Sequence, residues 1–167
     1  MKIAASILAA TTLAIVSITH ALAEVPEAER SQPQPTTMND AYTPGLGDFM
    51  GQIQMRHAKL WFAGKAKNWQ LAAYELDEIK EAFEDVAKYQ PNFKGRPIAE
   101  MIGPVTAQPI AQLEKAIDAK NPVRFAKAFD RLSNACTSCH QAAGYGFIAI
   151  QRPSFPPLTN QRFEPKR

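Results

Sequence analysis

The chain has 167 residues, 46% of them hydrophobic and 21% charged, enough apolar material for one core and one domain. That balance excludes collagen-like, coiled-coil-only and wholly disordered chains. The net charge of +3, from 19 Lys and Arg against 16 Asp and Glu, is scattered without a clustered basic stripe, so no nucleic-acid partner is expected. With three histidines, two cysteines, no Gly-rich phosphate loop and no Gly-x-Ser-x-Gly elbow, the chain offers little for nucleophilic catalysis, and its chemistry is concentrated in a few positions.

Met1 and Lys2 precede an apolar run from Ile3 to Ile18, and Ala21-Leu22-Ala23 follows as a small-x-small cleavage site. Residues 1–23 are therefore predicted to be a secretory signal that is removed, taking His20 with it and leaving no stable membrane insertion. An uncleaved anchor is the alternative. Residues 24–47 carry Pro26, Pro33, Pro35 and Pro44 among polar side chains, the composition of a flexible, extended N-terminal segment.

From Asp48 the pattern takes on helical period. The first helix is expected over about 48–63; at about 100° per residue, Phe49, Met50, His57, Leu60 and Gly64 fall within about 60° of Ile53, while Met55 and Phe62 point away. The second, about 68–89, has Asn68 as N-cap and one face of Trp69, Ala72, Ala73, Leu76, Ile79, Phe83 and Ala87. Its other face, Glu75, Asp77, Glu78, Glu81, Glu84 and Asp85, reads as solvated. The third, about 97–119, carries Ile98, Ile102, Val105, Leu113, Ala116 and Ile117 but is interrupted by Pro104 and Pro109, which predicts a kink or break between Gly103 and Pro109. The fourth, about 122–143, opens with Asn121 as N-cap and Pro122 at the first helical position, and its stripe is Phe125, Phe129, Leu132, Cys136, Cys139, His140 and Ala143. The expected fold is all-α, an up-down four-helix bundle over residues 48–143. Residues 144–167, with Pro153, Pro156, Pro157 and Pro165, are an irregular tail in which Tyr145, Phe147 and Phe155 form a hydrophobic lid or simply anchor the chain.

Both cysteines belong to Cys136-Thr137-Ser138-Cys139-His140, the C-x-x-C-H spacing of a c-type haem attachment site. Thiols at i and i+3 on one helical face can each add to a vinyl group on one haem edge, and the histidine that follows supplies the proximal ligand to iron. Cys136, Cys139 and His140 are thus the expected sites for one covalently attached haem c. A short-loop disulfide, a thioredoxin-like pair and zinc are the competing readings. The disulfide closes too small a loop to stabilise much, the redox pair lacks its βαβ setting, and zinc lacks a second ligand pair.

With its signal sequence, four-helix pattern and one C-x-x-C-H on the last helix, the chain resembles the class II c-type cytochromes, the family of cytochrome c′ and its low-spin relatives. The resemblance covers residues 48–143 and outside the motif rests on architecture. It is a divergent member: Gly144-Tyr145-Gly146 stops the motif helix almost at once, whereas in the family that helix usually continues. The resemblance implies a bundle with haem on the last helix and, in low-spin members, a methionine of the first helix as the second axial ligand.

The sixth iron position decides what such a haem does. His57 is the first candidate for it, Met50 the alternative; Met55 points away and the direction of Met101 is obscured by its prolines. A hydrogen-bonded core histidine is the other reading of His57. Arg56 borders the stripe and either meets a haem propionate or is solvated. The expected function is that of a periplasmic monohaem cytochrome passing single electrons between redox protein partners through Fe(III)/Fe(II), and not an enzyme. The alternative is a five-coordinate haem protein that binds or senses nitric oxide or carbon monoxide. Peroxidase-like chemistry would require His57 as a distal acid–base. A homodimer through helix faces is compatible with a bundle, and the basic tail residues Arg152, Arg162, Lys166 and Arg167 offer contacts to an acidic partner.

Overall fold

The structure is a computed structural model that describes residues 42–158 and 160–166. Residues 1–23, expected to be a signal, and residues 24–41, most of the segment expected to be extended, lie outside the described residues. Four helices follow: α1 (Leu46–Lys65), α2 (Trp69–Tyr89), α3 (Ile98–Asp118) and α4 (Pro122–Ala142). Helices adjacent in the chain pack on one another and α4 returns to α1, which is the up-down arrangement that short connections impose. No strand occurs among the described residues, only an isolated bridge between Phe93 and Arg96 in the α2–α3 connection. No described helix is long and apolar enough to cross a membrane.

The caps explain the boundaries. Asn68 Oδ1 accepts the Leu71 N–H at 3.2 Å, and Asn121 Oδ1 accepts those of Val123 and Arg124 at 3.1 and 3.0 Å, satisfying donors that the first helical turn leaves free. The same three residues join α1 to α2 and α3 to α4: Ala66-Lys67-Asn68 and Ala119-Lys120-Asn121. In both, the lysine is left-handed, with φ of 58° and 49°, and donates to the carbonyl three residues before it. Helix α1 starts two residues earlier than expected because the Asp48 carboxylate reaches back to accept the Gly45 N–H at 2.9 Å.

Two further expectations are corrected. Helix α3 does not break: Pro104 and Pro109 lie inside one continuous helix. Pro109 is itself buried, and its face of Ile102, Thr106, Leu113 and Ile117 is packed into the core, so tertiary burial offsets the missing N–H groups. On α2, Glu75 is not part of the solvated face. It is 1% exposed and at about 40° from Ile79 lies within the apolar stripe, where Arg56 of α1 holds it at 3.2 Å while also meeting Glu78 at 2.6 Å. Arg56 is therefore committed to α2. Ala73 and Ala87, expected on the buried face, are exposed, and Ala82 and Val86 take their place.

Helices α1 and α4 meet closely at one end. Gly64 is buried against the Phe125 ring, and a Cβ placed there would lie 2.1 Å from the ring. Next to this contact, Trp61, Phe125 and Phe129 form an aromatic layer, with Trp61 5.0 Å from Phe129 between centroids. Gly64→Ala is expected to destabilise the bundle by about 1–3 kcal/mol through overpacking, read as a lower urea midpoint. Gly47→Ala, which meets nothing within 4 Å, is the matched control and is expected to leave the midpoint unchanged or slightly raised.

Candidate functional site

Away from the Gly64–Phe125 contact the same two helices enclose a cavity of about 370 Å³, within the range of cofactor sites. Its wall takes Gly47, Met50, Gly51, Gln54 and His57 from α1, Phe83 from α2, Ile98, Ile102 and Thr106 from α3, and Cys136, Cys139 and His140 from α4. Tyr145, Ile148 and Ile150 of the tail complete it. All five residues singled out in the sequence, Cys136, Cys139, His140, His57 and Met50, thus share one cavity. Met55 is exposed, and Met101 packs on the core outside this wall.

Two features make room there. Gly47 and Gly51, one turn apart on α1, each have no atom within 4 Å of a would-be Cβ; glycine inside a helix costs about 1 kcal/mol relative to alanine, and here it keeps the α1 wall smooth. The second feature is that the cavity is lined by residues of both α1 and α4 at the end away from the close contact at Gly64. A larger depression, about 450 Å³, lies between α2 and α3. It is a surface groove crossed by Lys80, which pairs with Glu114 at 3.0 Å and Asp77 at 3.4 Å, and brings no cysteine or histidine together.

His140 is oriented by the chain that follows it. Helix α4 ends at Ala142, Gly144 adopts a φ of +81°, and the Tyr145 N–H returns to the His140 carbonyl at 2.7 Å. The tail then doubles back along α4. His140 Nδ1 lies 2.9 Å from the Ile148 carbonyl oxygen; since a carbonyl only accepts, Nδ1 carries a proton, and the neutral ring then has its lone pair on Nε2. The Ile150 N–H donates to Thr137 Oγ at 2.9 Å, and the Arg152 guanidinium grips both Asp130 oxygens at 2.6 Å while stacking 4.6 Å over Trp61. Arg152 is thus paired within the chain.

The lid expected of the tail aromatics is corrected. Phe147 and Phe155 are 81% and 80% exposed: Phe147 sits at the tip of the turn closed by the Ile148 N–H on the Tyr145 carbonyl, and it is Ile148 and Ile150 that reach the wall. Tyr145 does line the cavity, its ring 6.3 Å from Phe93. The residue that anchors the far tail is Phe163, buried against Phe62 at 5.6 Å.

His57 is 4% exposed. Its Nε2 lies 2.9 Å from Ser133 Oγ, whose hydroxyl donates to the Phe129 carbonyl at 3.0 Å; Nε2–H is then the donor to Ser133. The ring sits 4.2 Å from that of Phe129. Burial lowers its pKa to about 4, so the imidazole is neutral at pH 7. Burial also pushes the Cys136 thiol up to about 11, with the neighbouring Cys139 adding to the shift, and raises Cys139 as well. Both are protonated thiols, the opposite of the lowered pKa that disulfide exchange requires. Ser133 and Thr137, one turn apart and both i−4 or i−3 to a motif residue, went unnoticed in the sequence because short hydroxyl side chains on a helix have no fixed partner until the fold supplies one.

No protein-family model matches this chain, and neither a curated protein nor a solved structure does.

The buried imidazole has a consequence for stability. The unfolded chain protonates His57 near 6.5, the folded chain near 4, so between these values the unfolded state binds more protons. Stability is full above about 6.5, falls as pH drops to about 4, and loses about 3 kcal/mol over that window. His57→Gln, which keeps a donor for Ser133 but does not titrate, is expected to remove this part of the pH dependence of the urea midpoint; identical pH profiles for the two proteins would contradict it.

Proposed function

We propose that the cavity receives one haem, held covalently through thioethers to Cys136 and Cys139 and ligated by His140, and that the protein is a periplasmic carrier of single electrons between redox proteins. The observation that carries this reading is the joint geometry of one wall. Two thiols a helical turn apart and an imidazole with a free Nε2 face an apolar space that glycines keep open on the facing helix. The donor set fits the group: the thiols are protonated and accessible to the cavity, and the Nδ1–H bond to Ile148 raises the basicity of the ligating nitrogen. The predicted signal over residues 1–23 agrees with a cofactor attached outside the inner membrane. Likeness to the class II c-type cytochromes belongs to this proposal, on the C-x-x-C-H and the bundle alone.

When bound, the haem supplies a reversible one-electron Fe(III)/Fe(II) couple. The chain's part is to bind, orient and exclude water. Cys136 and Cys139 would hold the haem to α4, His140 would present Nε2 to its iron, and Ile98, Ile102, Phe83 and Ile148 of the wall would keep water from it, which disfavours the more highly charged oxidation state. Met50 is the better sixth ligand of the two candidates, since its thioether gives up no hydrogen bond, whereas His57 Nε2 is engaged by Ser133.

That engagement of His57 also favours the second reading, a five-coordinate iron open to nitric oxide or carbon monoxide. Optical spectra of protein made in cells with haem-attachment machinery separate the two. The carrier reading expects sharp low-spin bands, reversible one-electron reduction, no change with carbon monoxide, and conversion of Met50→Leu to a gas-binding high-spin form. A wild-type protein that is high-spin and shifts on adding the gas would move the function to gas binding.

A further inference from the structure

The tail bonds to the two motif residues whose side chains are not sulfur and not solvent-facing, and it does so in register. His140 meets the Ile148 carbonyl and, one helical turn earlier, Thr137 meets the Ile150 N–H, both at 2.9 Å. The two partners are three residues apart on α4, about 4.5 Å and just under one helical turn, and two residues apart in the tail, at most about 6.6 Å, so two adjacent rungs can form between them. Thr137 Oγ has both of its roles filled, donating to the Ser133 carbonyl at 3.1 Å and accepting from Ile150. Ile148 itself is 41% exposed, so burial does not fix its carbonyl; the turn bond from its N–H to the Tyr145 carbonyl at 2.9 Å holds it on one side and the Thr137 rung on the other. The next anchor, the Arg152–Asp130 pair, lies two residues beyond the rung and holds the chain past Ile150, not the Ile148 carbonyl.

We infer that Thr137 is a positioning residue for His140: by accepting the Ile150 N–H it sets the register that puts the Ile148 carbonyl on His140 Nδ1, and through that bond it tunes the iron. This rests on the haem reading above. A hydrogen bond from Nδ1–H to a carbonyl makes Nε2 a stronger donor, and a stronger donor stabilises Fe(III) over Fe(II). Loss of the Thr137 rung frees the carbonyl, weakens the donation and raises the reduction potential. The role needs a hydroxyl that accepts, so serine replaces threonine and valine, of the same shape, does not.

The test uses the full-length holoprotein and its variants Thr137→Val and Thr137→Ser, with two readouts: amide hydrogen exchange at Ile150 and the Fe(III)/Fe(II) ratio at a fixed poised potential. Thr137→Val is expected to speed Ile150 exchange and to shift the ratio toward Fe(II) by about three- to tenfold, the worth of one hydrogen bond; Thr137→Ser returns both to wild type. Ile150→Pro, which removes the donated N–H without altering α4, is expected to move the ratio in the same direction. An Ile150 amide that exchanges no faster in Thr137→Val overturns the positioning, and a ratio unchanged within about twofold while haem is bound overturns the tuning. Wild-type protein without covalent haem overturns the haem reading and the tuning with it, and leaves the exchange result to decide the positioning alone.

Discussion

Everything in this bundle follows from the way α1 and α4 are held together at one end and apart at the other. Gly64 lets the Phe125 ring sit against the α1 backbone, and about 20 to 26 Å away along α1, at 1.5 Å per residue, the glycines at 51 and 47 leave a smooth wall on the cavity. Between the two ends stands the aromatic layer of Trp61 and Phe129, with the His57–Ser133 bond on its cavity side. The short Ala-Lys-Asn turns tie α1 to α2 and α3 to α4 as two hairpins, so the space between α1 and α4 is where the bundle accommodates something other than its own side chains.

The electrostatics sort along the same division. The one carboxylate taken into the core among the described residues, Glu75, is balanced by Arg56 at the α1–α2 seam, away from the cavity wall. On the wall itself His57 and the two thiols are neutral, in each case because burial opposes the charge. A low-dielectric wall with neutral donors suits the apolar edge and faces of the proposed macrocycle, and on that proposal it magnifies small changes in the basicity of the ligating imidazole, which the Ile148 carbonyl contacts.

The helices and their caps were legible because each rests on local chemistry. Asn68 and Asn121-Pro122 mark helix starts whatever surrounds them, and the apolar stripes of α1 and α4 were right to within a residue or two. What could not be read depended on partners distant in the chain. Pro104 and Pro109 argue locally for a break, and only the packing of their helix overrules them. Glu75 was assigned to solvent by residue type although its angular position lies in the stripe, and the clue was Arg56, one helix earlier. That five candidate residues gather in one cavity was legible, because C-x-x-C-H is a spacing with a mechanism and His57 and Met50 lie on a readable face of α1. The tail was not: without helical period, nothing in residues 144–167 indicates that Ile148, Ile150 and Phe163 turn inward while Phe147 and Phe155 turn out.

The central claim is that this cavity is built for a covalently tethered haem. Its most direct test is the intact mass of the protein expressed with haem-attachment machinery, compared with a Cys136→Ala, Cys139→Ala double variant after acid–acetone extraction. The account predicts a wild-type mass increased by one haem that survives extraction, and a double variant that keeps none. A wild-type chain at the mass of the polypeptide alone, or lighter by two hydrogens through a Cys136–Cys139 disulfide, would contradict it.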